Sequence, residues 1–350
     1  MNRRDFLAAS AVGAAANAFV SQAVQAAPSA SASGKLKVLM PMLKPEEASD
    51  LAAAAPDIEL VYCKNQDEAN AKVVDAHASC GFITRELIHA GKSLRWVQQG
   101  SAGVEQLMEI PELVESSIVL TNMQRAYAPE IADQALGYLL CFTRGLAHFV
   151  RIQPKQEWPK TQTDVVLDEL PGKTAVVIGL GGIGSEIARR AHAFGMRVLA
   201  TDPKVIDRPL SVAELHRPDA LHALLPQADV VFSAVPLTPV SRKMLGAKEF
   251  AMMKKGVILI NVSRGGILDT DALVAALDAK QVSAAGLDVT DPEPLPPGHP
   301  LWTRNVLITP HNAGQSTGVV RRRHEVTREN LRRFAAGEIL LNVVDKKVGY

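Results

Sequence analysis

The stretch Thr174-Ala175-Val176-Val177-Ile178-Gly179-Leu180-Gly181-Gly182-Ile183-Gly184-Ser185 decides the reading of this chain. An apolar, β-rich run from Thr174 to Ile178 leads straight into glycines spaced G-x-G-x-x-G, and a helical stretch follows from Ser185 to Phe194. Strand, glycine turn and helix in that order form the setting of a dinucleotide site, which a lone glycine match does not supply. Gly179 permits the tight turn, Gly181 lets a pyrophosphate approach the backbone, and Gly184 lets the helix pack close to the strand. Gly182 and Ile183 lie at the helix start, where free N–H groups meet phosphate oxygens. Asp202 stands eighteen residues beyond Gly184, at the end of the next strand. A carboxylate there accepts from a ribose diol and repels a 2′-phosphate, so NAD is the expected cofactor over NADP. Lys204, two residues on, tempers that expectation unless it is a surface cation.

Outward from this stretch the pattern repeats. Arg197–Ala200, Val230–Ala234, Val257–Asn261, Ala284–Val289 and Val306–Thr309 read as further strands, with helical stretches such as Asp271 to Ala279 between the early ones. Six strands with crossover helices predict a doubly wound parallel sheet. An earlier block reads the same way, with strands at Leu36–Met40, Ile58–Tyr62, Ser79–Ile83, Leu94–Gln98 and Ile118–Thr121. That alternation predicts a second α/β unit. A long helical pattern starts near Pro129, a residue suited to a first turn, and runs to about Val150. A final amphipathic stretch covers Gln315 to Ala336, and the chain ends with Leu340 to Val344 and a short remainder.

Three further segments carry reactive side chains at strand ends, where open α/β sheets bind ligands. Arg264 sits in Asn261-Val262-Ser263-Arg264-Gly265-Gly266, and a guanidinium there can grip a carboxylate bidentately and polarise a neighbouring carbonyl. Glu293 sits in the stiff segment Pro292-Glu293-Pro294, and His311 directly follows Pro310. A carboxylate bonded to one imidazole nitrogen fixes the tautomer and favours the charged ring, leaving the other nitrogen to give a proton to a ketone or take one from a hydroxyl. Cation, carboxylate and histidine together predict hydride transfer between a nicotinamide cofactor and a small 2-oxo or 2-hydroxy acid. No metal is expected, because none of the three cysteines has ligand spacing.

With Gly179 to Gly184, Pro236-Leu237-Thr238, Asn261 to Gly266, Asp288 to Leu295 and Thr309-Pro310-His311 all present, the chain resembles a D-isomer-specific 2-hydroxyacid dehydrogenase from about Lys35 to Tyr350. The resemblance implies a catalytic trio of Arg264, Glu293 and His311. It makes Pro236 and Thr238 part of the cofactor site and Asp288 the holder of the nicotinamide carboxamide. Gly100-Ser101-Ala102-Gly103-Val104 matches the loop whose N–H groups, at Ala102 and Gly103, hold the substrate carboxylate. It also implies a flavodoxin-like substrate domain over 35–127 and 313–350, a Rossmann domain over 128–312, and a homodimer. Two departures bear on the substrate. Ala132-Asp133 stands where the family has Ala-Glu, and Gln124-Arg125-Ala126-Tyr127 replaces the common Gly-Tyr-Asn. Glutamate at Glu293, where the formate dehydrogenase branch has glutamine, speaks against that branch. A non-enzymatic NAD-sensing binding protein on the same fold, and a dehydrogenase whose NAD never leaves, stay open as alternatives.

The rest of the sequence sets limits. The 350 residues suit two domains, and 47% hydrophobic with 21% charged residues is ordinary for a globular chain. A net charge of +1 argues against nucleic-acid or membrane-surface binding driven by bulk charge. Arg321-Arg322-Arg323 reads as a solvated helix face. Cys63, Cys80 and Cys141 read as small core residues, with a Cys63–Cys80 disulfide left open. The opening Met1-Asn2-Arg3-Arg4-Asp5-Phe6-Leu7, followed by an uncharged Ala/Gly-rich stretch to Val24, resembles a twin-arginine leader. It predicts a signal peptide over 1–26, a linker over 27–34 and export to the periplasm, with the cytoplasm as the alternative location.

Overall fold

The computed structural model describes residues 34–158, 167–204 and 207–350. The leader expected over 1–26 lies outside the described residues.

Two all-parallel sheets organise them. Strands β1 (Leu36–Pro41), β2 (Ile58–Cys63), β3 (Ala78–Cys80), β4 (Trp96–Gln98) and β5 (Val119–Thr121) form the first, in the order β2-β1-β3-β4-β5. Strands β6 (Thr174–Ile178), β7 (Arg197–Thr201), β8 (Glu214–His216), β9 (Val230–Ser233), β10 (Val257–Asn261), β11 (Val282–Leu287) and β12 (Val306–Ile308) form the second, in the order β12-β11-β10-β9-β6-β7-β8. The chain leaves β6 for β7 on one side and returns for β9 on the other. This reversal opens a crevice beyond the carboxyl ends of the strands, the place where such sheets bind ligands.

Alternation across the pleat explains why these runs are apolar throughout. In the large sheet Val176, Ile178, Leu199, Val231 and Leu259 pack into one buried cluster, while Ala175, Val177, Val198, Phe232 and Ile260 pack into another. In the small sheet Leu39, Val97 and Leu120 serve one face, and Val38, Met40, Ala78 and Trp96 the other. Helix Thr317–Ala336 covers that second face, with Leu331 and Phe334 buried and the Phe334 ring 5.1 Å from that of Trp96. The segment after it pairs Val343 with Thr121, and the Val344 N–H donates to Leu120 O at 2.8 Å. Helix Ala128–Thr143 packs instead on the large sheet through Ala135, Leu136, Tyr138 and Leu139.

Several elements differ from the expectation. The large sheet has a seventh strand, β8, whose Glu-Leu-His sequence at a half-buried edge carries no apolar run. The helix expected to reach Val150 breaks at Gly145, which adopts φ 62°, and a separate helix covers Leu146–Ile152. That left-handed conformation is one glycine takes without steric cost. Strand β3 stops at Cys80, because Gly81 turns the chain at φ 82°. All three cysteines are free, and burial pushes the Cys80 thiol pKa up.

Candidate active site

The glycine loop follows β6. Gly179 has φ 87°, and a Cβ there would lie 2.8 Å from Ala234 O. A Cβ on Gly184 would lie 1.9 Å from Gly179 O, so only glycine lets the helix start this close to its strand. Gly181 has nothing within 4 Å of its would-be Cβ, and no side chain caps helix Gly182–Ala193. The result is an open cradle of backbone N–H groups at a helix N-terminus, which fits a pyrophosphate. Asp202 lies at the mouth of this crevice. Its Oδ2 accepts from the Leu180 N–H and its Oδ1 from the Lys204 N–H, both at 2.8 Å, which holds the carboxylate against the glycine loop. After β9, the Ser241 hydroxyl donates to Pro236 O at 2.6 Å and accepts from the Thr238 N–H at 2.8 Å, closing the turn that carries Pro236 and Thr238. These residues fit a nicotinamide dinucleotide.

Arg264 follows β10. The buried Asn261 side chain donates to Arg264 O at 2.9 Å and accepts from the Ser263 N–H and hydroxyl, and Ser263 in turn bonds Ser233 at 2.9 Å. This network sets the loop geometry. The guanidinium donates to Ser263 O at 2.7 Å and reaches over to the first sheet's side, where its Nε lies 3.0 Å from Glu105 Oε1 and its Nη2 3.4 Å from Glu105 Oε2. It crosses the loop Gly100 to Val104 so closely that a Cβ on Gly103 would lie 1.9 Å from Nη2. The backbone N–H groups of Ala102 and Gly103 donate to nothing among the described residues. A fork thus lies beside a loop with two unpaired N–H groups, an arrangement suited to a carboxylate. The loop is fixed from below. Tyr127 donates its hydroxyl to Gly100 O at 2.9 Å, and Asn122 donates to Ala102 O at 2.7 Å.

His311 follows β12 and takes φ 52°. Its N–H donates to Asp288 O at 2.8 Å and Thr309 O at 3.0 Å. The Asp288 carboxylate is buried and accepts from Thr309 Oγ1 at 2.6 Å, from the Asn312 N–H at 3.0 Å and from the Ala313 N–H at 3.1 Å. Tyr138 bonds the same Thr309 hydroxyl. Asp288 therefore anchors the histidine loop as well as lying beside the crevice. His311 Nδ1 stands 2.7 Å from Glu293 Oε1, and Glu293 Oε2 accepts from the Thr290 N–H at 3.3 Å. Nothing among the described residues bonds His311 Nε2. The Arg264 and Glu293 loops touch, since a Cβ on Gly265 would lie 1.9 Å from Thr290 O.

The structure thus gathers Arg264, Glu293 and His311 at three neighbouring strand ends, and Arg264 reaches the Gly103 loop. Sequence reasoning missed Glu105, whose signal was its place two residues past Gly103, and the support Asn122; it singled out Tyr127 only as part of a departure near the substrate. Asp133, one of the departures, meets Arg190 of the glycine-loop helix at 2.7 Å. Among the described residues no group of three or more His, Cys, Asp or Glu side chains is placed to hold a metal ion.

Fold and site define a dehydrogenase with a Rossmann-type cofactor domain. Residues 136–313 match the D-isomer specific 2-hydroxyacid dehydrogenase, NAD binding domain, family. The chain is 33% identical over 287 residues to a glyoxylate reductase of Korarchaeum cryptofilum, covering 79% of this chain and 85% of that protein. It is 30% identical over 318 residues to a D-3-phosphoglycerate dehydrogenase of Methanocaldococcus jannaschii, covering 89% of this chain but only 59% of that protein. Among solved structures, a D-isomer specific 2-hydroxyacid dehydrogenase from Xanthobacter autotrophicus Py2 in complex with NADPH and MES superposes with a TM-score of 0.76 at 28% identity, covering 91% of this chain and all of that one. The chain belongs to the D-isomer specific 2-hydroxyacid dehydrogenase family, and its cofactor is a nicotinamide dinucleotide.

Proposed function

We propose that this protein reduces a small 2-oxo acid, of the size of glyoxylate or hydroxypyruvate, to the D-2-hydroxy acid with NADH, or runs the reverse reaction. The observation that carries the reading is the His311–Glu293 pair at 2.7 Å, set one loop away from the Arg264 fork. The bound cofactor supplies or accepts the hydride. Arg264, with the Ala102 and Gly103 N–H groups, binds the substrate carboxylate and stabilises the charge that develops on the oxo oxygen. Glu293 holds the His311 ring through Nδ1, so Nε2 gives the proton to that oxygen in reduction and takes it back in oxidation. Asp288 fixes the histidine loop and lines the nicotinamide end. Asp202 favours a ribose diol over a 2′-phosphate. NADH is the proposed partner, although the Xanthobacter structure carries NADPH.

In this reading 35–127 with 313–350 form the substrate domain and 128–312 the cofactor domain, and the enzyme works as a homodimer exported by the twin-arginine route. Arg3-Arg4 before Phe6-Leu7 and an uncharged stretch supports the export proposal. Fractionation with N-terminal sequencing tests it. Mature protein starting near Ala27 outside the cytoplasm is expected, and an intact start on wholly cytoplasmic protein contradicts it. The function is tested by following NADH oxidation with glyoxylate, hydroxypyruvate and pyruvate on purified protein. Turnover with at least one is expected, and binding of NADH without turnover of any 2-oxo acid would instead favour the sensing role.

A further inference from the structure

Lys204 sits badly with a preference for NADH, as does Arg217, whose guanidinium donates to Pro203 O at 3.1 Å. Lys204 lies two residues past Asp202, is exposed, and is the kind of cation that meets a 2′-phosphate. The structure gives it another partner. Its Nζ stands 5.0 Å from the centroid of the Tyr350 ring. That distance is within the range of a cation–π contact.

Tyr350 reaches this place from a segment far from it in sequence. Its segment is tied to the small sheet. Lys346 donates to Leu113 O, Ser116 O and Ile118 O at 2.7 to 2.9 Å, and Val344 donates to β5. A tight turn then brings the chain round. The Gly349 N–H donates to Asp345 O at 2.8 Å, the Asp345 N–H donates to Tyr350 O at 3.2 Å, and the Lys347 N–H donates to Asp345 Oδ1 at 2.9 Å. The ring is half-buried. Burial first, and then the negative charges of Asp202 and Asp345, hold its hydroxyl above the usual tyrosine pKa. Tyr350 is therefore a residue anchored on one sheet whose ring meets Lys204 at the ribose end of the cofactor crevice on the other.

We propose that Tyr350 is a specificity-determining residue of the cofactor site: its ring occupies the Lys204 ammonium and withholds it from a 2′-phosphate. The preference set by the Asp202 carboxylate is thereby reinforced rather than opposed by the neighbouring cation. The proposal rests on the reading of Asp202 as the ribose-binding carboxylate, and the two separate in one experiment.

The experiment is a fluorescence titration of cofactor-free protein with NADH and with NADPH, which reads dissociation constants without turnover. Y350A and Y350L remove the aromatic face, while Y350F keeps it. Removing the face should lower the ratio of the NADPH to the NADH constant about two- to fivefold, the span of an exposed cation–π contact. Y350F should leave the ratio where it is. K204A in the Y350A background should abolish the gain. An unchanged ratio in folded Y350A or Y350L overturns the proposal, as does a gain that survives K204A. D202A gives the other arm. If D202A moves the ratio and the Tyr350 variants do not, the reading of Asp202 stands and the role of Tyr350 falls. If the Tyr350 variants move it and D202A does not, the reading of Asp202 falls and the proposal, which rests on it, falls with it.

Discussion

The guanidinium of Arg264 illustrates how much a single side chain depends on its frame. It already pairs with a carboxylate, that of Glu105, through Nε and Nη2, so in the proposed reaction binding substrate exchanges one carboxylate for another. Arg264→Lys keeps the charge and loses the fork. KM should rise and kcat fall together, because the same fork serves the bound acid and the charge that develops on its oxygen. A loss of thermal stability with unchanged kinetics would make Arg264 structural. Glu105→Gln tests the exchange itself. Arg264 stays in place through Ser263 O and the Asn261 network, while its competitor weakens. KM for the 2-oxo acid should fall up to about fivefold, since a partly exposed ion pair is worth up to about 1 kcal/mol. A higher KM would show instead that Glu105 positions the arginine.

Elements place these side chains by packing that has little slack. Strand β11 carries Gly286 under the Tyr138 ring of helix Ala128–Thr143, where a Cβ would meet ring atoms at 2.6 to 2.8 Å. Tyr138 bonds Thr309, which bonds Asp288, which holds the His311 loop. Gly286→Ala should therefore cost about 1–3 kcal/mol of stability, as overpacking does. It should also lower kcat by displacing the Thr309–Asp288 network. Thermal melting and steady-state kinetics on the same preparation check both effects, and an unchanged Tm would mean the helix gives way freely. The glycine loop, by contrast, is legible as an element, because the same three glycines that mark it in the sequence are those whose Cβ the structure excludes or leaves open to a ligand. Gly145 was not legible, since a helical pattern of apolar residues continues through it and only the left-handed φ reveals the break. Strand β8 was not legible for the opposite reason, having no apolar pattern of its own.

At the scale of the whole molecule, two parallel sheets face one crevice, and residues far apart in sequence meet across it. The strand pattern made both sheets readable, because strands buried on both faces appear as continuous apolar runs. The contacts across the crevice were not readable. Glu105 with Arg264 and Tyr350 with Lys204 join segments whose local patterns say nothing of one another. Helix Thr317–Ala336 shows the middle case. Its amphipathic pattern was plain, but its seat against Trp96, with Arg322 bonding Ala126 O at 2.7 Å and Glu130 beside it, comes only from the tertiary structure. All of this serves one arrangement, a histidine oriented by a glutamate next to a carboxylate-binding fork above a dinucleotide cradle. The most direct test is single-turnover and steady-state reduction of a 2-oxo acid by His311→Ala, with NADH affinity measured on the same protein. The account predicts a turnover loss of about 10²- to 10⁴-fold, the usual cost of losing a general acid–base, with NADH binding nearly unchanged. Turnover close to the wild-type rate in His311→Ala would contradict it.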